Sequence, residues 1–163
     1  MTVTELPLGL FGQVYRCPMP FGEYDPDENV FSQLINLQVT CVVLLASDDE
    51  CIRKTSINLR EMYTGAGMSV IHLPIQDFGV PVESELRNSI ELALQIIHDG
   101  KNLAIHCSAG IGRTGTFAAC LAKRVRGITG EQAIEWIRQV VPGAVETDEQ
   151  EQLILEFKVK EEA

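Results

Sequence analysis

Residues 105–116 read Ile-His-Cys-Ser-Ala-Gly-Ile-Gly-Arg-Thr-Gly-Thr, and this stretch decides the fold. Residues 102–105 before it form a short apolar run that is typical of a strand. After it, apolar side chains recur at the spacing of a helix, at Phe117, Ala118, Leu121, Ala122 and Val125. The stretch is therefore predicted to be a strand-to-helix turn, with its backbone N–H groups gathered at the amino end of a helix.

A turn of this kind binds anions, because unpaired N–H donors and the helix dipole both favour negative charge. Gly110 and Gly112 let the backbone curl around a ligand where a Cβ atom would obstruct it. Arg113 adds a planar guanidinium that suits two phosphate oxygens. Cys107 lies at the base of this positive cup, and the field that attracts phosphate should also stabilise its thiolate form. A thiolate beneath a bound phosphorus atom is a nucleophile in position for attack.

The order His106-Cys107, five residues, Arg113-Thr114 matches the signature of the cysteine-dependent protein tyrosine phosphatases, which the chain therefore resembles. The sequence of the turn is similar to that of the tyrosine-specific branch, whereas the short chain is more similar to the compact dual-specificity branch. The resemblance implies a phosphatase that works through phosphocysteine, without a metal ion or other cofactor. It also implies a phosphate-binding set of Ser108, Ala109, Gly110, Ile111, Gly112 and Arg113.

The chain has 163 residues, which predicts a single domain over residues 1–163 with a sizeable core. Its formal net charge of −10 argues against nucleic acid or an anionic membrane as a partner. Phosphate must therefore be bound locally, by Arg113 and backbone N–H groups, in a molecule that is acidic overall. These features favour a phosphoprotein substrate with neutral or basic flanking residues, and we expect a monomer.

The five cysteines indicate the compartment in which the protein works. Their number is odd, no pair has the spacing of metal ligands, and the first residues do not read as a signal peptide. Together these features predict a reducing cytoplasm. The longest apolar run, residues 41–46, falls far short of the ~18 residues that span a bilayer. A regulatory disulfide of Cys107 with Cys41 or Cys51 is conceivable, but buried free thiols are the stronger interpretation.

The order of predicted elements indicates an α/β fold with a central, mostly parallel sheet flanked by helices. Residues 12–16 predict an edge strand, and residues 39–46 and 68–75 predict central strands. Helices are predicted over residues 29–38, 83–98, 129–141 and 147–160, in addition to the helix after the turn. One more helix is predicted from residues 47–50 to a stop at residues 65–67, with an inner face of Ile52, Thr55, Leu59 and Tyr63. The active site is expected beyond the carboxyl end of the strand that leads to Cys107.

Transfer of a phosphoryl group to Cys107 needs a proton donor for the departing oxygen. Asp77-Phe-Gly-Val-Pro is similar to the movable acid loop of the family, Trp-Pro-Asp-x-Gly-x-Pro, with Ile75 and Gln76 in place of Trp-Pro. The resemblance makes Asp77 the general acid of the first step and the general base of the second. Without the cysteine signature, Asp-x-Gly-x-Pro is ordinary composition for a surface turn. The missing tryptophan leaves open whether the loop moves.

Three further residues have both a catalytic and a structural interpretation. The resemblance implies that His106 is buried and hydrogen-bonds the backbone beside the cysteine, which nearly coincides with a purely structural role. Thr114 is expected to point its hydroxyl at the sulfur, to cap a helix, or to do both. Gln150, in a Thr-x-x-Gln pattern, is either part of a capping box or the water-positioning glutamine of the family. Gln152 competes for that second role, and we prefer Gln150 because only one of the two can face the pocket.

Three functions compete for this sequence. The first is a metal-free phosphatase that acts on phosphotyrosine in proteins and, in a shallow dual-specificity pocket, also on phosphoserine and phosphothreonine. The second is a phospho-binding pseudophosphatase module without turnover, against which the presence of Cys107, Arg113 and Asp77 argues. The third is a phosphatase of phosphoinositides or other non-protein phosphate esters. Lipid-directed relatives tend to carry lysines inside the turn, and the turn of this chain has none.

Overall fold

The computed structural model describes residues 2–160, which form one five-stranded sheet in the order β1-β2-β5-β3-β4. The strands are β1 (Thr4–Leu6), β2 (Val14–Cys17), β3 (Val39–Leu44), β4 (Ser69–His72) and β5 (Asn102–His106). β1 runs antiparallel to β2, and the other pairs are parallel. The predicted α/β class with a mostly parallel sheet is confirmed. Met1 and residues 161–163, at the two ends of the predicted domain, lie outside the described residues.

Helices flank the sheet on both faces. They are α1 (Val30–Asn36), α2 (Asp48–Thr55), α3 (Leu59–Gly65), α4 (Glu83–His98), α5 (Gly112–Arg126), α6 (Gly130–Val140) and α7 (Asp148–Glu156). α4 has the predicted bounds, and α6 and α7 begin at capping boxes that start at Thr129 and Thr147. Each box satisfies two backbone donors that a helix leaves unpaired at its amino end. Within residues 2–160, none of the helices combines the length and apolarity needed to cross a bilayer.

The sheet separates two apolar cores, because successive side chains of a strand point to opposite faces. In β3, Val43 packs in the core on the side of α4 to α7, whereas Val42 and Leu44 pack in the core on the side of α1 to α3. β5 lies between β2 and β3, and its residues Ala104 and Ile105 also divide between the two cores. Burial on both faces explains why these strands are continuous apolar runs.

The single helix predicted between residues 47 and 65 is wrong, because the chain forms α2 and α3 there. Ser56 ends α2 in the left-handed region, with φ at 63°, and the Asn58 side chain accepts a backbone N–H to begin α3. Ile52, expected on the inner face, is 47% exposed. α2 instead buries Glu50 and Cys51, which brings a carboxylate towards the turn after β5.

Two strands have the opposite positions from those predicted. β2, predicted at the edge, lies between β1 and β5, and β4, predicted as central, forms an edge of the sheet. The composition of a strand reports how much of its surface is buried, not how many strands hydrogen-bond to it. In addition, β1 has only three residues, too few to show an alternating pattern.

The fold brings several strand ends together where the site is expected. β2, β5 and β3 are parallel, and Cys17 and Leu44, which end β2 and β3, are both in register with His106 at the end of β5. The turn of residues 107–111 follows immediately and leads into α5 at Gly112. It therefore lies at the carboxyl edge of the sheet, where open α/β folds bind their ligands.

Candidate active site

The carbonyl oxygens of residues 107–111, in the turn after β5, all accept hydrogen bonds from groups around the turn. The carbonyl of residue 107 accepts from His106 Nδ1 (2.9 Å), and that of residue 108 accepts from the Met19 N–H (2.8 Å). The carbonyls of residues 109 and 110 accept from the Arg16 guanidinium (2.8 and 3.0 Å). The carbonyl of residue 111 accepts from the N–H groups of Gly115 and Val145 (3.0 and 3.2 Å). With every carbonyl held in this way, the turn has a fixed backbone orientation.

The N–H groups of residues 108–113 find no acceptor within residues 2–160. A trans peptide points its C=O and N–H in opposite directions, so carbonyls held outward leave the N–H groups pointing into the turn. The turn also meets the amino end of α5, the positive end of the helix dipole. Buried backbone donors are costly to leave unpaired, so this cup is built to receive an anion.

Arg113 lies beside the cup with 1% of its surface exposed. Both terminal nitrogens donate to Glu50 at 2.8 Å, Nη1 also donates to the Ile75 carbonyl at 2.8 Å, and Nη2 lies 3.2 Å from Asp77 Oδ1. Burial acts to lower the pKa of Arg113, but Glu50, Cys107 and Asp77 together raise it above its ordinary value. Among the described residues, Arg113 Nε is the one buried side-chain nitrogen or oxygen without a hydrogen-bond partner. This N–H is therefore available to a phosphate oxygen.

Cys107 lies at the base of the cup, 3% exposed, with Thr114 Oγ1 at 3.1 Å from its Sγ. A hydroxyl that donates to this sulfur stabilises the thiolate more than the thiol, because ionised acceptors make stronger hydrogen bonds. Ile111 is the N-cap of α5, and no side chain of the described residues caps that helix with a hydrogen bond. The capping interpretation of Thr114 is therefore wrong, and its hydroxyl faces the sulfur.

His106 is completely buried between a backbone carbonyl and a tyrosine. Its Nδ1 lies 2.9 Å from the Cys107 carbonyl oxygen, and its Nε2 lies 2.7 Å from the Tyr63 hydroxyl. A carbonyl oxygen can only accept, so Nδ1 carries the proton and Nε2 accepts from Tyr63. Burial is the largest of the effects that lower the pKa of His106 to about 4, which keeps the ring neutral at physiological pH. The ring supports the backbone at Cys107 and has no free nitrogen with which to act as a base towards the sulfur.

Asp77 reaches the site from the loop between β4 and α4. The Gly79 N–H donates to the Gln76 carbonyl at 2.8 Å, which closes a tight turn around Asp77 and Phe78. Phe78 has a φ of 64°, in the left-handed region, and its N–H donates to Asp77 Oδ1 at 3.0 Å. The Asp77 side chain is 45% exposed and lies against Arg113. The candidate acid thus lies beside Arg113, although Ile75 and Gln76 stand in place of the Trp-Pro pair.

Gln150 links the amino end of α7 to this loop. Its Oε1 accepts the N–H groups of Glu146 (2.8 Å) and Thr147 (3.2 Å), and its Nε2 donates to the Gly79 carbonyl at 3.2 Å. Gln150 is fully buried, whereas Gln152 makes its hydrogen bond on the exposed side of α7. The structure therefore brings Gln150, and not Gln152, to the acid loop, and the role of Gln150 in positioning water stays a prediction.

Sequence reasoning missed three charged residues that contact this site, namely Glu50, Lys54 and Arg16. Lys54 Nζ lies 2.8 Å from Ser108 Oγ and 3.2 Å from Glu50 Oε1. Burial acts to raise the pKa of Glu50, but hydrogen bonds from Arg113 and Lys54 hold it below its ordinary value. The sequence contains two weak signals for these residues. Glu50 and Lys54 have the i,i+4 spacing common on any helix surface, and Arg16 is a charge within a predicted strand.

The other four cysteines are also free thiols. All five cysteines are unpaired, so no disulfide with Cys107 is formed. Burial raises the pKa of Cys17 and Cys120 to about 12 and that of Cys51 to about 11, which keeps these groups protonated near neutral pH. Within residues 2–160, no three metal-ligating side chains come together in one place.

Sequence comparison finds a matching family model and two curated relatives of the chain. A family model described as "Polymorphic toxin system, DSP-PTPase phosphatase" matches residues 20–126, which include the cup, Arg113 and the acid loop. Protein MJECL20 of Methanocaldococcus jannaschii is 33% identical over 92 residues, which are 55% of this chain and 60% of that protein. Protein tyrosine phosphatase domain-containing protein 1 of Bos taurus is 31% identical over 99 residues, 61% of this chain and 12% of that protein. The chain therefore spans less than two thirds of either relative.

Structure comparison extends the likeness beyond the matched residues. The crystal structure of kinase associated phosphatase (KAP), with its catalytic site cysteine replaced by serine, superimposes with a TM-score of 0.87 at 25% sequence identity. The superposition covers 95% of this chain and 92% of that one. The arrangement of sheet and helices around the cup is thus shared over almost the whole chain.

Proposed function

The chain belongs to the DSP-PTPase phosphatase family, and we propose on this basis that it hydrolyses phosphate monoesters of proteins through a phosphocysteine intermediate. The observation that carries the proposal is the cup of unpaired N–H groups of residues 108–113 above Cys107. The unpaired Nε–H of Arg113 completes the cup. Six amides and one guanidinium N–H match the three non-bridging oxygens of a phosphate monoester in charge and in number of donors.

In the first step the Cys107 thiolate attacks phosphorus and the bond from phosphorus to the ester oxygen breaks. Asp77 gives its proton to the departing oxygen, which leaves as an alcohol or phenol. The negative charge on the transferred group is stabilised by the amides of residues 108–113 and by Arg113. Asp77 can contact both the arginine and a leaving group, because its carboxylate lies 3.2 Å from Arg113 and is partly exposed.

In the second step water attacks the phosphocysteine, and the bond from sulfur to phosphorus breaks. Asp77, now ionised, accepts a proton from the water, and inorganic phosphate leaves with the new oxygen. Thr114 donates to the sulfur as it regains its charge, which its 3.1 Å distance from Sγ allows. Gln150 keeps the acid loop in place through the Gly79 carbonyl and is our candidate to orient the water.

We assign this activity to phosphotyrosine and, in a shallow pocket, to phosphoserine and phosphothreonine as well. The net charge of −10 supports protein substrates with neutral or basic flanks and argues against nucleic acid or an anionic membrane. A single domain, a monomeric state and a cytoplasmic location complete the proposal. The buried free thiols support the reducing location.

Hydrolysis of p-nitrophenyl phosphate by the purified protein tests the activity directly. We expect turnover that orthovanadate inhibits and that Cys107→Ser abolishes, while the variant still binds phosphate. Mass spectrometry of the wild-type protein quenched during turnover should find phosphate on Cys107. Binding of phosphate without any vanadate-sensitive turnover would instead identify a phospho-binding module. A panel of phosphotyrosine and phosphothreonine peptides then measures the range of substrates.

A phosphatase of non-protein esters is the second candidate, and one observation favours it. Lys54 brings a cation to Ser108 from outside the turn, at 2.8 Å, although the turn itself contains no lysine. The Lys54 side chain is 28% exposed, and its ammonium group can meet a second anionic group beside the scissile phosphate. Phosphatidylinositol phosphates assayed beside phosphotyrosine peptides separate the two candidates. Preference for the lipid headgroups, lost in Lys54→Met, would replace our first candidate.

A further inference from the structure

Arg16 is a fully buried arginine whose three side-chain nitrogens all donate to backbone carbonyls. It lies on β2 with 1% of its surface exposed. Nε donates to the Gly110 carbonyl at 3.0 Å, and Nη2 donates to the Ala109 carbonyl at 2.8 Å. Nη1 donates to the Thr2 carbonyl at 3.1 Å. The guanidinium thus joins the segment that leads into β1 to the middle of the phosphate-binding turn.

The two bonds to the turn determine the direction of two catalytic-site amides. In a planar trans peptide the C=O and the following N–H point in opposite directions. Arg16 holds the carbonyls of Ala109 and Gly110 outward, and this turns the N–H groups of Gly110 and Ile111 into the cup. Of the five carbonyls in the turn, these two are the ones whose donor is a charged side chain. Charged donors make the stronger hydrogen bonds.

Gly110 shows how closely the turn packs on this guanidinium. Its φ is 76°, a region open to glycine, and a Cβ atom at this position would overlap Arg16 Nη2 and the Cys17 carbonyl. The absence of a side chain therefore lets the turn rest directly on Arg16.

Among residues 2–160, no carboxylate forms an ion pair with Arg16. Each ion pair found within residues 2–160 involves another cation. Burying a cation without a counter-ion is unfavourable, even when its hydrogen bonds are satisfied. Burial lowers the pKa of Arg16, whereas the nearby Cys107 sulfur acts in the opposite direction. The negative charge that can balance this cation is that of the Cys107 thiolate and of the bound phosphate.

We propose that Arg16 is a positioning residue for the phosphatase reaction: it orients the Gly110 and Ile111 amides and supplies a buried positive charge beneath the phosphate. It acts through the turn and does not touch the substrate. The proposal rests on the proposed function in one respect, namely that the cup is the phosphate site. It predicts that the affinity for oxyanions depends on a residue that lies outside the signature sequence.

Lys123 provides a matched control. It is also a buried cation, 8% exposed, and its Nζ donates to the Ile154 and Phe157 carbonyls, each at 2.8 Å. These carbonyls belong to the end of α7 and the residue after it, and not to the turn. Lys123→Met therefore removes a buried charge and its carbonyl hydrogen bonds without altering the cup. Any effect of Arg16 variants beyond that of Lys123→Met reports on the turn.

The experiment compares Arg16→Met, Arg16→Lys and Lys123→Met with the wild-type protein. It measures the Kd of orthovanadate, kcat and KM for p-nitrophenyl phosphate, and the midpoint of urea unfolding. We expect Arg16→Met to raise the vanadate Kd by about tenfold or more and to lower kcat/KM in proportion, because the Gly110 and Ile111 amides lose their fixed direction and the bound anion loses a buried positive charge. Arg16→Lys keeps the charge but not the fork, so it should lie in between. Lys123→Met should lower the unfolding midpoint while leaving the vanadate Kd within about twofold.

An unchanged vanadate Kd in a folded Arg16 variant would overturn the proposal, even if the wild-type protein is an active phosphatase. If Arg16→Met does not fold, Arg16→Lys decides in the same way. The NMR signal of the Arg16 Nε–H in the wild-type protein tests the proposal without any substitution. This signal should shift when vanadate saturates the cup, and an unmoved signal contradicts the proposal. Because vanadate binding needs no turnover, failure of the proposed hydrolysis would be seen separately, in the p-nitrophenyl phosphate assay.

Discussion

Glu50 accepts two parallel hydrogen bonds from Arg113, each 2.8 Å long, and both side chains are almost fully buried. This pairing occupies the two terminal nitrogens and leaves Nε directed elsewhere, without a partner among residues 2–160. A bidentate carboxylate fixes the plane of a guanidinium. The orientation of the Arg113 guanidinium is therefore set by a residue 63 positions earlier in the chain.

Glu50→Gln should impair both stability and activity, because Arg113 loses the charged acceptor that fixes its plane. We expect the free energy of unfolding to fall by about 1–3 kcal/mol. We expect kcat/KM for p-nitrophenyl phosphate to fall by about 10- to 100-fold. Asp49→Asn, an exposed acid on the same turn of α2, serves as the control and should leave both quantities nearly unchanged. Equal losses in the two variants would mean that only the charge at the helix end matters.

Thr114→Val should slow the second step more than the first, because the thiolate leaves phosphorus without its hydroxyl donor. The lost hydrogen bond to a charged sulfur corresponds to about 10- to 100-fold in the rate of dephosphorylation. Rapid-quench measurements should then show phosphocysteine accumulating in a burst. Thr116→Val is the control, since the Thr116 hydroxyl is equally buried but donates to the Gly112 carbonyl at 2.8 Å. A burst of the same size in both variants would show that the Thr114 hydroxyl does not assist the departure of the sulfur.

Asp77→Asn should lower the rate according to how poor the leaving group is, because only poor leaving groups need the proton. For phenyl phosphate we expect a loss of about 10²- to 10⁴-fold, and a much smaller one for p-nitrophenyl phosphate. A plot of log kcat/KM against the acidity of the leaving group should become steeper. Asp99→Asn, at the exposed end of α4, is the control. A uniform loss across leaving groups would argue that Asp77 only holds Arg113.

His106 should make the protein less stable as the pH falls below about 6.5. The folded state lowers the pKa of His106 from 6.5 to about 4, so between these values the unfolded chain takes up a proton that the folded chain refuses. The stabilisation that the neutral His106 ring contributes is complete above the unfolded-state pKa of 6.5. It is lost as the pH falls to the folded-state pKa of about 4. Its size is about 3 kcal/mol.

Urea unfolding between pH 4 and 7 measures this effect, with His106→Asn as the comparison. The wild-type protein should lose stability faster than the variant over the window between the folded and unfolded pKa values of His106. The lowered pKa of Glu50 adds an acid-induced loss in the same direction to both proteins, so it cancels in the comparison. Identical pH profiles would show that the ring at position 106 does not titrate in this way.

Gln150→Glu should loosen the acid loop while keeping the cap of α7. A glutamate still accepts the N–H groups of Glu146 and Thr147, but it cannot donate to the Gly79 carbonyl. We expect kcat to fall by about tenfold, with proteolysis or amide exchange of the loop accelerated. Gln152→Glu makes the same substitution on the exposed side and should have no such effect. If kcat is the same in both variants, the hydrogen bond between α7 and the loop does not contribute to catalysis.

Local patterns in the chain predicted the elements nearest the site well. The helix over residues 83–98 and both capping boxes involve residues within one or two turns of each other, and these signals are strong. The prediction of a single helix from residue 47 was wrong because Ser56 adopts a left-handed conformation, which a serine does not lead one to expect. Strand neighbours failed for a different reason, since pairing between strands depends on long-range contacts.

The sequence by itself determined the chemical groups of the cup, because Cys107, the amides and Arg113 all lie within one short turn. Only the tertiary structure decided what holds them: Arg16 lies 94 residues from the Gly110 carbonyl it binds, and Glu50 lies 63 residues from Arg113. The physical reason is that a strand-to-helix turn directs its own N–H groups but cannot supply partners for its outward carbonyls or for a buried guanidinium. Those partners come from neighbouring elements, whose proximity is a property of the folded sheet.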